Sequence, residues 1–155
     1  RADLPRWSAD AATRGWELLR DGDPATAMKR FNQAWSLHPS NAGALWGMAI
    51  TQFEFFKRAV GEQPDADDFA VLDAAVVVVE QAIVLPDPAA SLLNDGAMLV
   101  MTRGALRQFL GDAAFNADFD RARVLLDEAE AKEAHPMIYD NRAALARYRG
   151  DERAA

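Results

Sequence analysis

The sequence predicts an all-α fold, an array of antiparallel helix hairpins with about seven helices. Three observations carry that expectation. Apolar residues recur at i, i+3, i+4 and i+7 in seven stretches separated by short breaks. A glycine followed by an acidic residue recurs between stretches, at Gly22-Asp23, Gly61-Glu62, Gly111-Asp112 and Gly150-Asp151. Such a turn needs a residue that tolerates φ > 0 and then an oxygen that caps the next helix, and Gly followed by Asp or Glu supplies both. Finally, successive helix pairs close on a proline, at His38-Pro39, Leu85-Pro86 and His135-Pro136.

Residues 1–7, RADLPRW, show no period and are expected to form a tether, with Trp7 docking as a hydrophobic staple. Ser8 is the expected N-cap of a first helix over about 8–21, which carries Ala11, Gly15, Leu18 and Leu19 and ends at Gly22. Asp23 caps the second helix. Pro24 stands at its first position, where a missing N–H costs nothing. Its stripe is Ala27, Phe31, Ala34 and Leu37. Ser40-Asn41 caps a third helix over about 42–60, with Leu45, Trp46, Ile50, Phe53 and Phe56.

An acidic loop, GEQPDADD, leads to a fourth helix over about 67–85. The run Val76–Val79 has strand propensity, but the apolar stretch is too long for one strand and its flanks are helical. A helix apolar on nearly every side is buried on several faces, so this one is expected to be central. Asp87-Pro88 repeats the cap-plus-proline start, opening a fifth helix over about 88–110. The sixth covers about 117–134. Its Arg123/Asp127 and Glu128/Lys132 pairs at i,i+4 mark a solvated face. The seventh covers about 137–149, and its polar residues either cap the array or mark where a longer one continues.

The segment 15–39, GWELLRDGDPATAMKRFNQAWSLHP, ends in Ala27-x3-Phe31, Ala34 and Pro39. It resembles the tetratricopeptide repeat (TPR) family, whose unit of about 34 residues ends A-x3-F…P. Gly15 and Ala27 stand at that family's two small-residue positions, which are expected to touch across the first hairpin, while Arg14 and Leu18 depart from its usual leucine and tyrosine. Looser copies follow with Leu45, Ala49, Ala75, Val79 and Ala82. The next has Leu92, Gly96, Leu99, Ala122, Leu126 and Ala129, with Asp95 departing, and a half unit has Tyr139, Asn141, Ala143 and Gly150. The proline spacings, 47 residues and then 50, exceed the family period. The resemblance implies a right-handed superhelical array, a TPR-like α-solenoid forming a single domain over 8–155. Its units are about 8–40, 41–87, 88–136 and a half unit over 137–151.

The totals narrow the function. Net charge is −7 and the sequence pI is about 4.8, so the chain repels phosphate backbones and nucleic acid is not an expected partner. There is no cysteine, which removes disulfides, thiolate metal sites and a cysteine nucleophile together. No apolar run reaches bilayer-spanning length, so a soluble protein is expected, cytoplasmic or periplasmic. The first residue is Arg1, which fits either a removed export signal or an excised segment. His38 and His135 each precede a unit-closing proline and are expected to favour helix C-termini rather than metal. Glu62, Asp65, Asp67 and Asp68 lack the glycine and terminal glutamate of a calcium loop and are expected to cap a helix. No nucleophile, phosphate-loop or metalloprotease motif is present. No catalytic residue, metal or cofactor is therefore expected, and the chain reads as a non-enzyme.

The resemblance turns first helices toward a concave face. In that register Trp16, Leu19 and Arg20, then Trp46, Ile50 and Phe53, then Leu93, Ala97, Val100 and Met101, and last Arg147 and Tyr148 line an apolar groove. The expected function is an adaptor or accessory subunit that holds a protein or peptide segment, possibly a subunit of a larger complex, in that groove. Two alternatives stand beside it: the same strip forms core, or the long helices enclose a small apolar ligand as a carrier or sensor.

Overall fold

The computed structural model describes residues 2–150. It contains seven α-helices and, among the described residues, no strand: α1 (Leu4–Arg20), α2 (Pro24–Leu37), α3 (Ala42–Ala59), α4 (Ala66–Ile83), α5 (Ala90–Leu110), α6 (Phe115–Lys132) and α7 (Pro136–Tyr148). Val76–Val79 lies within α4, as the flanking periodicity predicts. The helices divide into two compact units. Residues 2–63 and 70–86 form the first, and residues 64–69 and 87–150 the second. No helix among the described residues is long and apolar enough to cross a membrane.

The first unit opens earlier than the sequence pattern suggests. α1 begins at Leu4, so most of the expected tether is helix, with Pro5 in the first turn where its fixed φ suits a helix start. Trp7 is exposed on that helix. Arg1 lies outside the described residues. Ser8, expected as a cap, is fully buried a turn inside α1. Its hydroxyl donates to the Ala34 carbonyl at 2.6 Å and accepts from Asn41 Nδ2 at 2.8 Å. Asn41 Oδ1 in turn accepts the Ala44 N–H at 3.1 Å, capping α3. One polar relay thus joins α1, the end of α2 and the start of α3, above a small core of Ala12, Ala34 and Ala44.

The α1–α2 turn is the expected one. Gly22 takes φ +84°, its N–H returns to Leu19 O, and Asp23 N–H returns to Leu18 O. These two bonds satisfy carbonyls that the helix end leaves open. Asp23 then accepts the Thr26 N–H at 3.1 Å to cap α2.

Phe31, fully buried, locks the three helices. A Cβ added at Gly15 on α1 would lie 2.7 Å from the Phe31 ring, and one at Gly47 on α3 would lie closer still. The atoms nearest such a Cβ at Gly15 are those of the Phe31 ring. Gly61 does not repeat the turn. α3 runs out through an extended Val60, so no left-handed residue is needed there. Asp65 instead starts α4, accepting the Asp67 and Asp68 N–H groups while its own N–H donates to Asp68, a capping box that accounts for part of the acidic cluster. α4 buries one stripe, Leu72, Ala75, Val76, Val79, Ala82 and Ile83. Val77 stays 49% exposed, so the expectation of a helix buried on several faces is not met here.

That description fits α5 in the second unit, which buries ten residues from Leu92 to Leu106 around most of its circumference. It packs against both α6 and α7. Its start is not the expected Asp87-Pro88 cap. Asp87 sits at φ +53° and pairs with Lys132 at 2.9 Å, and the helix begins at Ala90. Gly111 (φ +77°) and Asp112 repeat the Gly22-Asp23 turn, with Asp112 N–H returning to Arg107 O. Gly104 meets Phe119 as Gly15 meets Phe31, with a Cβ there 2.8 Å from the ring. Beside it the buried Asp118 accepts two bonds from Arg103, at 3.1 and 2.7 Å, and one from Arg107 at 3.0 Å. Arg107 also lies over the Phe69 ring.

Between α6 and α7, Arg142 pairs with Asp127 and Glu130, and Tyr139 donates to Glu130. Asp127 and Lys132 thus reach other elements instead of their i,i+4 neighbours. His135 does not sit at a helix C-terminus. Its Nδ1 accepts the Met137 N–H at 3.1 Å, so it caps the start of α7, whereas His38 ends α2 as expected. Gly150 (φ +74°) closes α7, and its expected partner Asp151 lies outside the described residues.

Three outcomes follow for stability. Gly47→Ala should destabilise the chain more than Gly15→Ala, each by about 1–3 kcal/mol less whatever the alanine contributes to helix propensity. Urea unfolding of the two variants checks the order, and adding Phe31→Leu should relieve both. Asp118→Ala removes the buried carboxylate that two guanidinium groups share and should cost up to about 3–5 kcal/mol, read the same way. The Arg142 hydrogen bond, then that of Tyr139, lowers the Glu130 pKa below its ordinary value. Stability from this group is therefore complete above the ordinary glutamate range and lost as pH falls through the depressed folded value. Arg142→Gln should flatten that part of the acid-side unfolding curve.

Candidate functional site

The third helix carries an aromatic and aliphatic stripe that ends in a lysine. Trp46, Ile50, Phe53 and Lys57 follow at i, i+4, i+7 and i+11, which places them on a single face. The first three are half-buried. Trp16 reaches this face from α1. Its ring meets Trp46 edge-on at 5.4 Å between centroids and meets Phe31 in the same way at 5.3 Å. The wedge residue therefore supports Trp16 from below, and Trp16 in turn supports Trp46. Further along α3, Phe53 stacks on the buried Phe56 at 6.0 Å, and Lys57 Nζ stands 5.1 Å from the Phe53 centroid. Lys57 also pairs with Glu54 at 2.6 Å. Leu19 is half-buried. Arg20 is exposed and makes no side-chain hydrogen bond or ion pair with the described residues.

Trp16, Leu19, Arg20, Trp46, Ile50 and Phe53 thus give the first unit an accessible strip, aromatic and aliphatic, with cationic groups at its edge. Of these, the structure shows Trp16 and Trp46 in direct ring contact. The second unit differs. Leu93, Ala97, Val100 and Met101 are 0, 0, 0 and 1% exposed, so these expected groove residues are core. The cause is α5 itself. Small or apolar residues occupy most of its faces, and α6 and α7 both pack against it, which leaves this stretch no open apolar side. Tyr148 is at the surface and stacks on the buried Phe119, with ring planes 6° apart. Arg147 is exposed.

Three features of the strip escaped the sequence reading. The sequence places Phe31 in the apolar stripe of α2 and does not show its role as the floor under Trp16. The signal was there in Gly15 and Gly47, small residues that flank an aromatic on successive helices. Lys57 follows Phe53 at i+4, the spacing that brings an ammonium over a ring. Phe56 anchors Phe53 by stacking, although three residues apart on a helix is the ordinary spacing for such contact.

No family model matches the chain, and no curated protein matches it. Its chemistry is therefore read from the strip. Aromatic faces and aliphatic edges offer dispersion and area burial to an apolar segment, and the cationic groups beside them favour carboxylates.

The Trp16–Trp46 contact should be measurable. A double-mutant cycle with Trp16→Ala and Trp46→Ala, read by urea unfolding, should give a coupling of about 0.5–1.5 kcal/mol. A coupling near zero would mean that the two rings are held independently.

Proposed function

We propose that the chain is a non-catalytic TPR-like adaptor or accessory subunit, built of stacked helix hairpins, that holds a protein or peptide segment against the strip formed by α1 and α3. The observation that carries this reading is the half-buried aromatic pair Trp16–Trp46, continued along α3 by Ile50 and Phe53. Aromatic residues, Trp above all, concentrate binding energy at interfaces. A rigid floor lowers the ordering cost of using them.

The helical-array part of the reading is supported by recurrence. The Gly15–Phe31 and Gly22-Asp23 arrangement of the first unit returns in the second as Gly104–Phe119 and Gly111-Asp112. In the second and third units the small and apolar residues of the family pattern, Leu45, Ala49, Ala75, Val79, Ala82, Leu92, Gly96, Leu99, Ala122, Leu126 and Ala129, are all buried, whereas Tyr139 and Ala143 of the half unit are not. The partner segment favoured by the strip is apolar with acidic neighbours, which Arg20 and Lys57 would meet.

The test uses the tagged full chain to capture partners from native lysate, identifies them, and then measures binding of the purified partner. Ile50→Ser and Phe53→Ser should weaken that binding at least tenfold while leaving the melting temperature within a few degrees, since both side chains are half-buried at the strip. A partner bound equally well by both variants sinks the strip as the binding surface.

A further inference from the structure

We propose that the segment held on the α1–α3 strip is an amphipathic helix with carboxylates in its first turn, lying antiparallel to α1 and α3. This rests on the strip being the binding surface and adds the partner's conformation and direction.

Backbone hydrogen bonding selects the conformation. None of the strip's side chains, from Trp16 and Trp46 to Phe53 and Lys57, is a hydroxyl, a carboxamide or a carboxylate. The interior backbone groups of α1 and α3 are committed to their own helices. An extended segment pressed onto this surface would take its N–H groups out of water and find no acceptor for them. A helix satisfies its backbone internally and needs only an apolar stripe to meet.

The shape of the strip fits the same occupant. Trp46, Ile50, Phe53 and Lys57 run along α3 for three turns, about 16 Å at the helical rise. A helix laid beside them with apolar residues at the same spacing interdigitates along that length. The first unit already contains one contact of this kind. α2 presents Ala27, Phe31 and Ala34 at i, i+4 and i+7, packs against both α1 and α3, and opens with a carboxylate cap, Asp23, next to the end of α1.

Charge sets the direction. Arg20 stands in the last turn of α1, and Lys57 and Arg58 stand in the last turn of α3. Because α2 runs antiparallel to both, these two helix ends lie on the same side of the first unit. Glu54 compensates Lys57, whereas Arg20 and Arg58 are exposed and make no side-chain hydrogen bond or ion pair with the described residues. Asp21 and Asp23 follow Arg20 in the turn to α2, where Asp23 caps that helix, and neither belongs to the strip. At the other end, the first turn of α3 carries no charge. A helix antiparallel to α1 and α3 brings its own first turn to Arg20 and Arg58. Carboxylates there meet the guanidinium groups, and its positive N-terminus meets the negative C-terminal ends of α1 and α3.

The experiment titrates the full chain into three fluorescently labelled four-turn peptides and follows anisotropy. The parent peptide has leucines at i, i+4, i+7 and i+11, two glutamates in its first turn, and alanine and glutamine elsewhere. A second peptide replaces one central alanine of its polar face by proline, and a third moves the glutamates to the last turn. The parent should bind saturably and gain helical circular dichroism on binding. The proline peptide, which keeps every leucine and glutamate, should bind at least tenfold more weakly. The reversed peptide should bind roughly two- to fivefold more weakly, the range of partly exposed charged contacts, and Arg20→Gln should reduce that preference. Phe53→Ser should weaken the parent at least tenfold, with melting curves confirming that both variants fold. The proposal is overturned if the parent does not bind, if it binds without gaining helicity, or if the proline or the reversed peptide binds as well. A proline peptide that binds like the parent, with both lost in Phe53→Ser, removes the helix and leaves the strip as the binding surface. A parent bound unchanged by folded Phe53→Ser removes the strip itself.

Discussion

Phe31 can be buried between α1 and α3 only because Gly15 and Gly47 present no side chain to it. Close packing leaves little slack in a protein interior, so a single added methyl on either side forces the ring or a helix to move. The rest of the first unit depends on this spacing. It holds α1 near enough to α2 for Ser8 to reach the Ala34 carbonyl, and α3 near enough for Asn41 to reach Ser8. It also sets the height of Trp16, whose ring rests edge-on against Phe31. The aromatic strip on α1 and α3 is therefore not an ornament on a finished core. Its first aromatic is the next layer of the same wedge.

The second unit uses the same device with a different consequence. Gly104 admits Phe119, but the neighbouring residue is Asp118, buried between two arginines. Removing one partner from such a set leaves charge stranded at low dielectric, whereas the intact set contributes little net stability over an apolar replacement. What the set does supply is geometry. Arg103 and Arg107 lie one turn apart on α5, so only one rotation of α6 brings Asp118 to both. The aromatic here is covered by Tyr148 and Arg149 from the end of α7.

Much of the fold was legible because it is local. Glycine at φ > 0 followed by an acidic cap is written in adjacent residues, and Gly22-Asp23 and Gly111-Asp112 behave as their chemistry requires. Asn41 caps its helix for the same reason. The misreadings share the opposite character, since each was decided by a residue far away in sequence. Ser8 has the composition of a cap, yet Ala34, 26 residues later, claims its hydroxyl. Asp87 has the composition of a cap before Pro88, yet Lys132 pairs with it across 45 residues. Gly61 follows a helix like the other turn glycines, yet the extended exit of Val60 removes the need for a left-handed residue. Periodicity failed where it averages over faces. The valine run of α4 reads as apolar all round but leaves Val77 exposed, while α5, with Asn94, Asp95, Arg103 and Arg107 in its sequence, reads as amphipathic and is buried on most sides.

The candidate site was legible to the same extent and for the same reason. Trp46, Ile50 and Phe53 lie on one helix, so their shared face follows from 3.6 residues per turn alone. Joining them to Trp16 required knowing how close α1 comes to α3, which Gly15, Phe31 and Gly47 decide together and no single segment shows. Extending the strip to Leu93, Val100 and Met101 assumed that each unit leaves its first helix equally open. Openness is a property of what packs against a helix, and α5 has both α6 and α7 against it. All four tryptophans lie in the first unit, so the accessible indole surface is there. A partner that covers Trp16 and Trp46 would press on Phe31 through them, so affinity and the stability of the first unit are linked. Ligand that binds only the folded chain raises its stability by mass action, and here the contact path runs through the residue that sets the helix spacing.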